Sequence, residues 1–212
     1  PEPEIQDLLR NLGCYQICLK VLELFEGIEE DEETGELDEV ASNTKDLCSL
    51  CNKLLYWSIL DNPKNQEQAY NSLTFFMDTL DQGIGSDMCI RAIFSNNEYL
   101  MKLVPHIHLE ELVDKIVQGG VNGKRPEYLS LAVSITNVGD KNVVENQFEI
   151  VRTLTKPGRL QKCGSFLVPV NHPEYSRKVE LMDGFDVNKD YAIKELPAEL
   201  GYHLTLMETL AG

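Results

Sequence analysis

The sequence has few basic residues, no long apolar run and no glycosylation sequon, and each absence narrows what the protein can be. Lysine and arginine number 19 against 35 acidic residues, so the formal net charge is −16. Nucleic acid and anionic lipid surfaces repel such a chain, and we expect neither as a partner. No stretch approaches the roughly 20 consecutive apolar residues that span a bilayer, so we expect no direct membrane insertion by this chain.

Signals for secretion are missing as well. The N-terminus lacks the basic start and apolar middle of a signal peptide, and no Asn-x-Ser/Thr sequon occurs. Six cysteines in 212 residues therefore fit a reducing cytosolic compartment better than a secreted disulfide framework. An initiator methionine is also absent, and we interpret the chain as a segment of a longer polypeptide.

The negative charge is concentrated in one segment. Nine of the fourteen residues from Glu26 to Glu39 are acidic and none is basic. A segment with so many charges and so few apolar anchors does not bury enough surface to fold by itself. We predict that residues 26–41 form a disordered acidic loop, preceded by N-terminal helices (1–25) and followed by a helical-repeat core (42–155).

Helical periodicity dominates the chain as far as residue 155. In the first helix the apolar face is expected to consist of Ile5, Leu8, Leu9 and Leu12. After the acidic loop, a side chain at one of residues 42–44 is predicted to cap a helix that runs to about residue 60. A single return helix is predicted from residue 66 to residue 80.

Helical units restart near residues 44, 86 and 126, a spacing of about 40 residues that is typical of armadillo or HEAT-like repeats. We therefore predict an all-α protein, an α-solenoid of stacked helical hairpins. Beyond Lys156 the pattern weakens, because two prolines interrupt short apolar runs at 166–175. Residues 156–212 are predicted to be an irregular segment and a final helix of the same solenoid.

Several short motifs resemble metal-binding or catalytic motifs, but none has all the residues that such a site requires. Cys48-Ser-Leu-Cys51 has the spacing of a zinc ligand pair, but no second pair completes four ligands, so we interpret these thiols, like Cys14 and Cys18, as buried core residues. His106 and His108 are two residues apart and do not share a helix face, which argues against a joint metal site.

The remaining motifs lack essential positions. GGVNGKR at 119–125 resembles a phosphate loop, but its glycines are one residue too close and Arg125 occupies the Ser/Thr position. The segment from Asp186 begins like a calcium loop, yet it has Tyr191 where glycine is required and Pro197 in place of the final glutamate. Cys163-Gly-Ser does not continue as a cysteine-protease motif. We predict no catalytic, cofactor-binding or metal-binding residues, no cofactor, and no enzymatic activity.

An ordered set of residue groups resembles one known family. The groups are LLYW at 54–57, NPKNQ at 62–66, IFSNN at 93–97, PEYL at 126–129, VVENQ at 143–147 and YHLTLME at 202–208. Together they resemble the central cytosolic region of inositol 1,4,5-trisphosphate receptors, which is the homology domain that these receptors share with ryanodine receptors. Residues 156–195 and the acidic run do not match well.

The resemblance implies an armadillo-like domain on the cytosolic face of the endoplasmic reticulum, within a tetrameric calcium-release channel. Its partners would be other domains of the same receptor and neighbouring subunits. In that family the ligand pocket lies nearer the N-terminus and the pore nearer the C-terminus. The densest basic spot here is only Lys124-Arg125, so we expect no tight inositol phosphate binding by this chain alone.

Three functions remain open on the sequence. The leading hypothesis is a structural domain that relays ligand binding to the channel gate by rigid-body shifts of stacked helices. The alternative is a soluble helical-repeat adaptor that binds peptide or protein partners. The third is a sensor for inositol phosphate or calcium, which would use Lys124, Arg125 or the acidic run.

Overall fold

A computed structural model describes residues 2–23, 39–122, 126–138, 141–162, 170–171, 173, 175–183, 201–202, 204 and 206. These residues are mostly α-helical, which confirms the predicted all-α class. The chain divides into two compact units, Pro1–Leu103 and Val104–Gly212. This boundary falls inside the predicted 42–155 core.

The first unit contains seven helices among the described residues. They are α1 (Pro3–Asn11), α2 (Cys14–Glu23), α3 (Glu39–Ile59), α4 (Pro63–Tyr70), α5 (Leu73–Asp78), α6 (Ser86–Phe94) and α7 (Glu98–Lys102), with a 3-10 turn at Leu80–Gln82. Helix α3 is the centre of the unit and packs against α1, α2, α4 and α6. Its buried face includes Cys48, Leu55 and Ile59, and each of these side chains is at most 1% exposed. Truncating a leucine at such a position costs about 2–5 kcal/mol.

The α3–α4 connection follows from four residues. Asn62 has an extended backbone and accepts a hydrogen bond from the Asn65 backbone amide, while Pro63 occupies the first turn, where its missing N–H costs nothing. Asp61, just before the cap, has a left-handed backbone (φ 57°). Its carboxylate accepts from the Ser95 hydroxyl at 2.7 Å, which ties this turn to the end of α6.

Several predicted helix boundaries are wrong. Helix α3 begins at Glu39, so residues 39–41 of the predicted acidic loop are helical, and Ala41 is buried. Thr44 does not cap this helix, because its hydroxyl donates to the Val40 carbonyl one turn earlier. The predicted 66–80 helix is two helices, which end and restart at Asn71-Ser72. The Asn71 amide donates to the Glu67 carbonyl, a local bond of the kind that competes with helix continuation.

The second unit contains α8 (His106–Asn122), α9 (Pro126–Thr136), α10 (Val144–Leu154), α11 (Arg159–Lys162) and α12 (Tyr175–Asp183). Two-residue strands β1 (Asn137–Val138) and β2 (Lys141–Asn142) pair antiparallel between α9 and α10. Helix α8 packs against α9, α10 and α11. Another predicted boundary is wrong in this unit, because α8 continues through the predicted loop at Gly119-Gly120 and ends only at Asn122.

The segment 156–195, which was predicted to be irregular, is partly helical, because α11 and α12 lie within it. Residues 201, 202, 204 and 206 are helical and lie within the final helix predicted at 198–210. Tyr202 is buried and its hydroxyl donates to the Ile116 carbonyl of α8 at 3.4 Å. Residues 24–38 of the acidic run, together with the motifs at Lys124-Arg125, Cys163 and Asp186–Asp190, lie outside the described residues.

Candidate functional site: buried amide joints and an exposed apolar stripe

Buried side-chain amides join the helices of the first unit at their ends. Gln6 of α1 is only 4% exposed, and its amide nitrogen donates to the carbonyls of Trp57 and Leu60, both at 2.9 Å. Those carbonyls are at the C-terminal end of α3, where the helix has no further backbone donors for them. The Gln6 side chain thus supplies the hydrogen-bond donors that a further turn of α3 would have provided, and it fixes α1 to the end of α3.

A second joint connects α4 to α6 and α7. Gln66 is 1% exposed, and its amide nitrogen donates to the carbonyls of Ala92 (2.9 Å) and Ser95 (2.8 Å) at the end of α6. Its carbonyl oxygen accepts from the Asn97 side-chain amide at 2.9 Å. Asn97 in turn caps α7 by accepting from the Leu100 backbone amide. One glutamine therefore meets the end of one helix and the cap of the next.

Two further amides complete the first unit. Asn65 donates to the Ser58 carbonyl at 2.6 Å and to the Gln6 carbonyl at 3.3 Å, which brings α1, α3 and α4 together. Asn52, in the middle of α3, is fully buried and donates to the Ile84 carbonyl at 2.8 Å. The Cys89 thiol of α6 is 3.4 Å from the side-chain oxygen of Asn52, so α3 and α6 are also tied at their centres.

A similar buried amide lies in the second unit. Asn146 of α10 is 5% exposed, and its amide donates to the Ile135 carbonyl near the end of α9 at 2.9 Å. Glu149 on the same helix is also buried and accepts from the Arg152 guanidinium. This hydrogen bond, helped by the charges of Arg152 and His106, holds the pKa of Glu149 below its ordinary value.

The joints explain part of the NPKNQ and IFSNN groups. Asn62, Asn65 and Gln66 in the first group, and Ser95 and Asn97 in the second, all make the contacts above. Sequence reasoning used these residues as turn signals and as a family resemblance, and it missed their packing role. A run of amide side chains directly after a helical N-cap was the available signal.

Two of the four thiols singled out in the sequence are core residues. Cys18 and Cys48 are buried, as predicted, whereas Cys14 and Cys51 are half-exposed, which the prediction missed. Burial raises the pKa of Cys18 to about 12, and the neighbouring Cys14 and Cys51 thiols add to this effect. A thiol with such a pKa stays protonated at neutral pH and is a poor nucleophile and a poor metal ligand. Within the described residues no three His, Cys, Asp or Glu side chains converge on a metal-sized site.

The two histidines have separate partners. His108 is buried and its Nδ1 lies 2.8 Å from a carboxylate oxygen of Glu111. His106 is exposed and its Nδ1 lies 3.8 Å from Glu149. Each of these histidines therefore lies beside a different carboxylate.

Helix α3 also carries an apolar stripe on its solvent side. The stripe, which we call the α3 seam, runs along the helix at alternating intervals of three and four residues: Val40, Asn43, Leu47, Leu50, Leu54 and Trp57. All six are exposed, the five apolar side chains by 41–73%. Monomeric proteins scatter exposed apolar residues, but a continuous stripe marks an interaction surface.

A shorter exposed stripe lies on α1. Ile5, Leu8 and Leu12 were predicted to face the core and are 51–67% exposed, while Gln6 is buried instead. Gln6 occupies the buried position because its side-chain amide donates hydrogen bonds to two carbonyls at the end of α3. In the first unit, neutral hydrogen bonds thus join the described helices on the inside, and α1 and α3 present apolar faces to solvent.

Within the described residues no helix is both long and apolar enough to cross a bilayer. A family model, that of the RIH domain, matches residues 1–161. This domain is shared by inositol trisphosphate receptors and ryanodine receptors. A comparison with curated proteins found no match.

Proposed function

Since the chain belongs to the RIH domain family of calcium-release channels, we propose that it is a cytosolic structural domain that relays ligand binding to the gate of such a channel. The family is non-catalytic, and we extend this to the chain. The residue groups at 54–66 and 93–97 favour an inositol trisphosphate receptor over a ryanodine receptor. The domain would then lie on the cytosolic face of the endoplasmic reticulum, in contact with other receptor domains and neighbouring subunits of the tetramer.

The observation that carries the proposal is the set of amide joints. A relay must pass a displacement from one helix to the next without absorbing it, so the helix ends must not slide or unwind. Gln6 and Gln66 each hold two terminal carbonyls of a neighbouring helix. Breaking such a buried bond leaves an unsatisfied polar group that costs about 1–3 kcal/mol, so small forces move the helices together.

We further propose that the helix pairs stack as an armadillo-like solenoid. Support comes from the spacing of helix starts, since α3, α6 and α9 begin at residues 39, 86 and 126. Because each repeat contacts chiefly its neighbours, a shift of one repeat is passed to the next, which suits a domain placed between a ligand site and a gate.

A ligand-sensing role receives no support from four of the described arginines. Arg10, Arg91, Arg152 and Arg159 each pair with a carboxylate, of Asp7, Asp87, Glu149 and Asp114 in turn. A triply phosphorylated ligand requires several unpaired cations at one point. Calorimetry with inositol trisphosphate and with calcium is expected to give no tight binding to this chain, and submicromolar binding of either would favour the sensor.

The relay is tested in the full-length receptor by weakening one joint. We expect Gln66→Ala to leave ligand binding to microsomes intact and to reduce ligand-evoked calcium release, with the exposed Gln16→Ala as the matched control. Equal loss of binding and release would contradict a relay. An antibody against the chain should detect a very large polypeptide in the endoplasmic reticulum fraction, and a soluble band near 24 kDa would favour the adaptor instead.

A further inference from the structure

The spacing of the α3 seam selects the kind of partner that covers it. Alternating intervals of three and four residues are the a and d positions of a coiled-coil heptad, with Val40, Leu47 and Leu54 at a and Asn43, Leu50 and Trp57 at d. A strand repeats every two residues and does not match this spacing. The seam continues over 18 of the 21 residues of α3, so its partner is a helix of similar length.

The seam is complementary to itself when a second α3 runs antiparallel. In an antiparallel pair each a residue faces a d residue of the other helix. If Leu47 faces the other chain's Leu50, the same register places Leu54 opposite Asn43 and Trp57 opposite Val40. All six seam positions then find partners within α3 itself, and the largest side chain meets the smallest apolar one.

The flanking charges favour the same arrangement. Asp46 and Lys53 precede the a positions of successive heptads, and both are exposed. Within the described part of the chain neither makes an ion pair. The antiparallel register brings Asp46 of each chain beside Lys53 of the other, which gives two ion pairs across a two-fold axis. A parallel pair would place these charges opposite Cys51 and Ser58 and would form none.

We infer that the α3 seam is an interface for a second copy of this chain, formed by antiparallel pairing of the two α3 helices. The pairing buries Leu47 and Leu50 of both chains at the centre, with Asp46–Lys53 pairs at the edge. This inference is independent of the channel assignment, because it uses only the surface of the first unit.

The test is sedimentation equilibrium of the complete chain under reducing conditions, which prevent cross-links between half-exposed cysteines. The apparent mass is expected to rise with concentration from the 24.0 kDa of one chain toward twice that value. In the proposed dimer each Leu50 faces Leu47 of the other chain, so Leu50→Glu places a carboxylate in both of these central contacts. It is expected to abolish the rise in apparent mass. Phe148→Glu, an equally exposed apolar position on α10 (67%), is the matched control and should leave it unchanged.

Charge variants test the orientation. Asp46→Lys alone and Lys53→Asp alone each turn two attractive pairs into two repulsive ones and should weaken self-association about tenfold. An equimolar mixture of the two variants should recover the wild-type affinity, because each Lys then meets an Asp of the other chain. Unchanged circular dichroism establishes that every variant is folded.

Three results would overturn the inference. Wild-type protein that stays monomeric at the highest concentration refutes it and leaves the seam to a helix of another polypeptide segment. A dimer that Leu50→Glu does not disrupt uses a different surface. A dimer that persists in both charge variants, with no gain on mixing, is not antiparallel.

Discussion

The joint at Gln66 gives the most direct test of the physical picture. Gln66→Ala removes two donors to helix-end carbonyls and one acceptor of the Asn97 amide. Ala92 is fully buried, so its carbonyl is left without solvent and costs about 1–3 kcal/mol. Ser95 and Asn97 are half-exposed, so water replaces much of what they lose. Together, the lost hydrogen bonds and the small cavity left by the shorter side chain should lower the free energy of unfolding of the first unit by about 3 kcal/mol.

The assay uses the single tryptophan of the sequence, Trp57, which lies in α3. Urea unfolding followed by its fluorescence reports on the first unit alone. Gln66→Met keeps the volume and isolates the hydrogen bonds, and Gln66→Glu adds a carboxylate facing two carbonyls. We expect stability in the order wild type, Met, Ala, Glu at pH 7, with Gln16→Ala within about 0.5 kcal/mol of wild type.

The outcome that refutes the reasoning is simple. If Gln66→Ala loses no more stability than Gln16→Ala, the α6 carbonyls are satisfied in another way and the joint is not a constraint. If Gln66→Met equals wild type while Gln66→Ala does not, shape filling and not hydrogen bonding holds α4 against α6.

Three further predictions concern single ionisable groups. The hydrogen bond from Asn62 and the neighbouring Arg10 lower the pKa of Asp7 from 3.8, so its contribution to stability is present above pH 3.8 and is lost as pH falls through the lower folded value. The stability gap between wild type and Asp7→Asn, followed by urea unfolding, should therefore close as pH falls below 3.8. Cys18 should resist iodoacetamide at pH 8 in the folded chain and react on unfolding, and mass spectrometry that finds rapid native alkylation would contradict its raised pKa. Glu149→Gln loses the paired Arg152 bonds and should cost about 1 kcal/mol, seen as faster amide exchange in α10; unchanged exchange would show that the pair contributes nothing.

Local signals in the sequence located the helices better than their ends. The return helix after α3 was predicted from residue 66, whereas α4 begins at Pro63 with Asn62 as its cap. The α4–α5 break was missed because neither Asn71 nor Ser72 is a strong breaker. What ends α4 is a side-chain bond to its own turn, which competes only weakly and is decided by packing.

The sequence did not predict which side chains are buried by contacts with distant parts of the chain. The apolar face of α1 predicted that Ile5 and Leu8 are buried, and the structure buries Gln6 instead. The decision depends on carbonyls some fifty residues away, at Trp57 and Leu60, which no local periodicity encodes. The α3 seam was hidden for the same reason: α3 is apolar on two sides, and only the packed unit shows which side stays in water.

The chemistry of the joints has a consequence for the conditions under which the domain works. Amides neither titrate nor carry net charge, so the bonds made by Gln6, Asn65 and Gln66 have the same strength at every physiological pH. Salt screens ion pairs strongly and neutral hydrogen bonds hardly at all. In a chain with a net charge of −16, surface electrostatics varies with every change in ionic composition. The internal linkage between helices is insulated from those changes, so a cell that alters its ion concentrations alters the surroundings of this domain and not its stiffness.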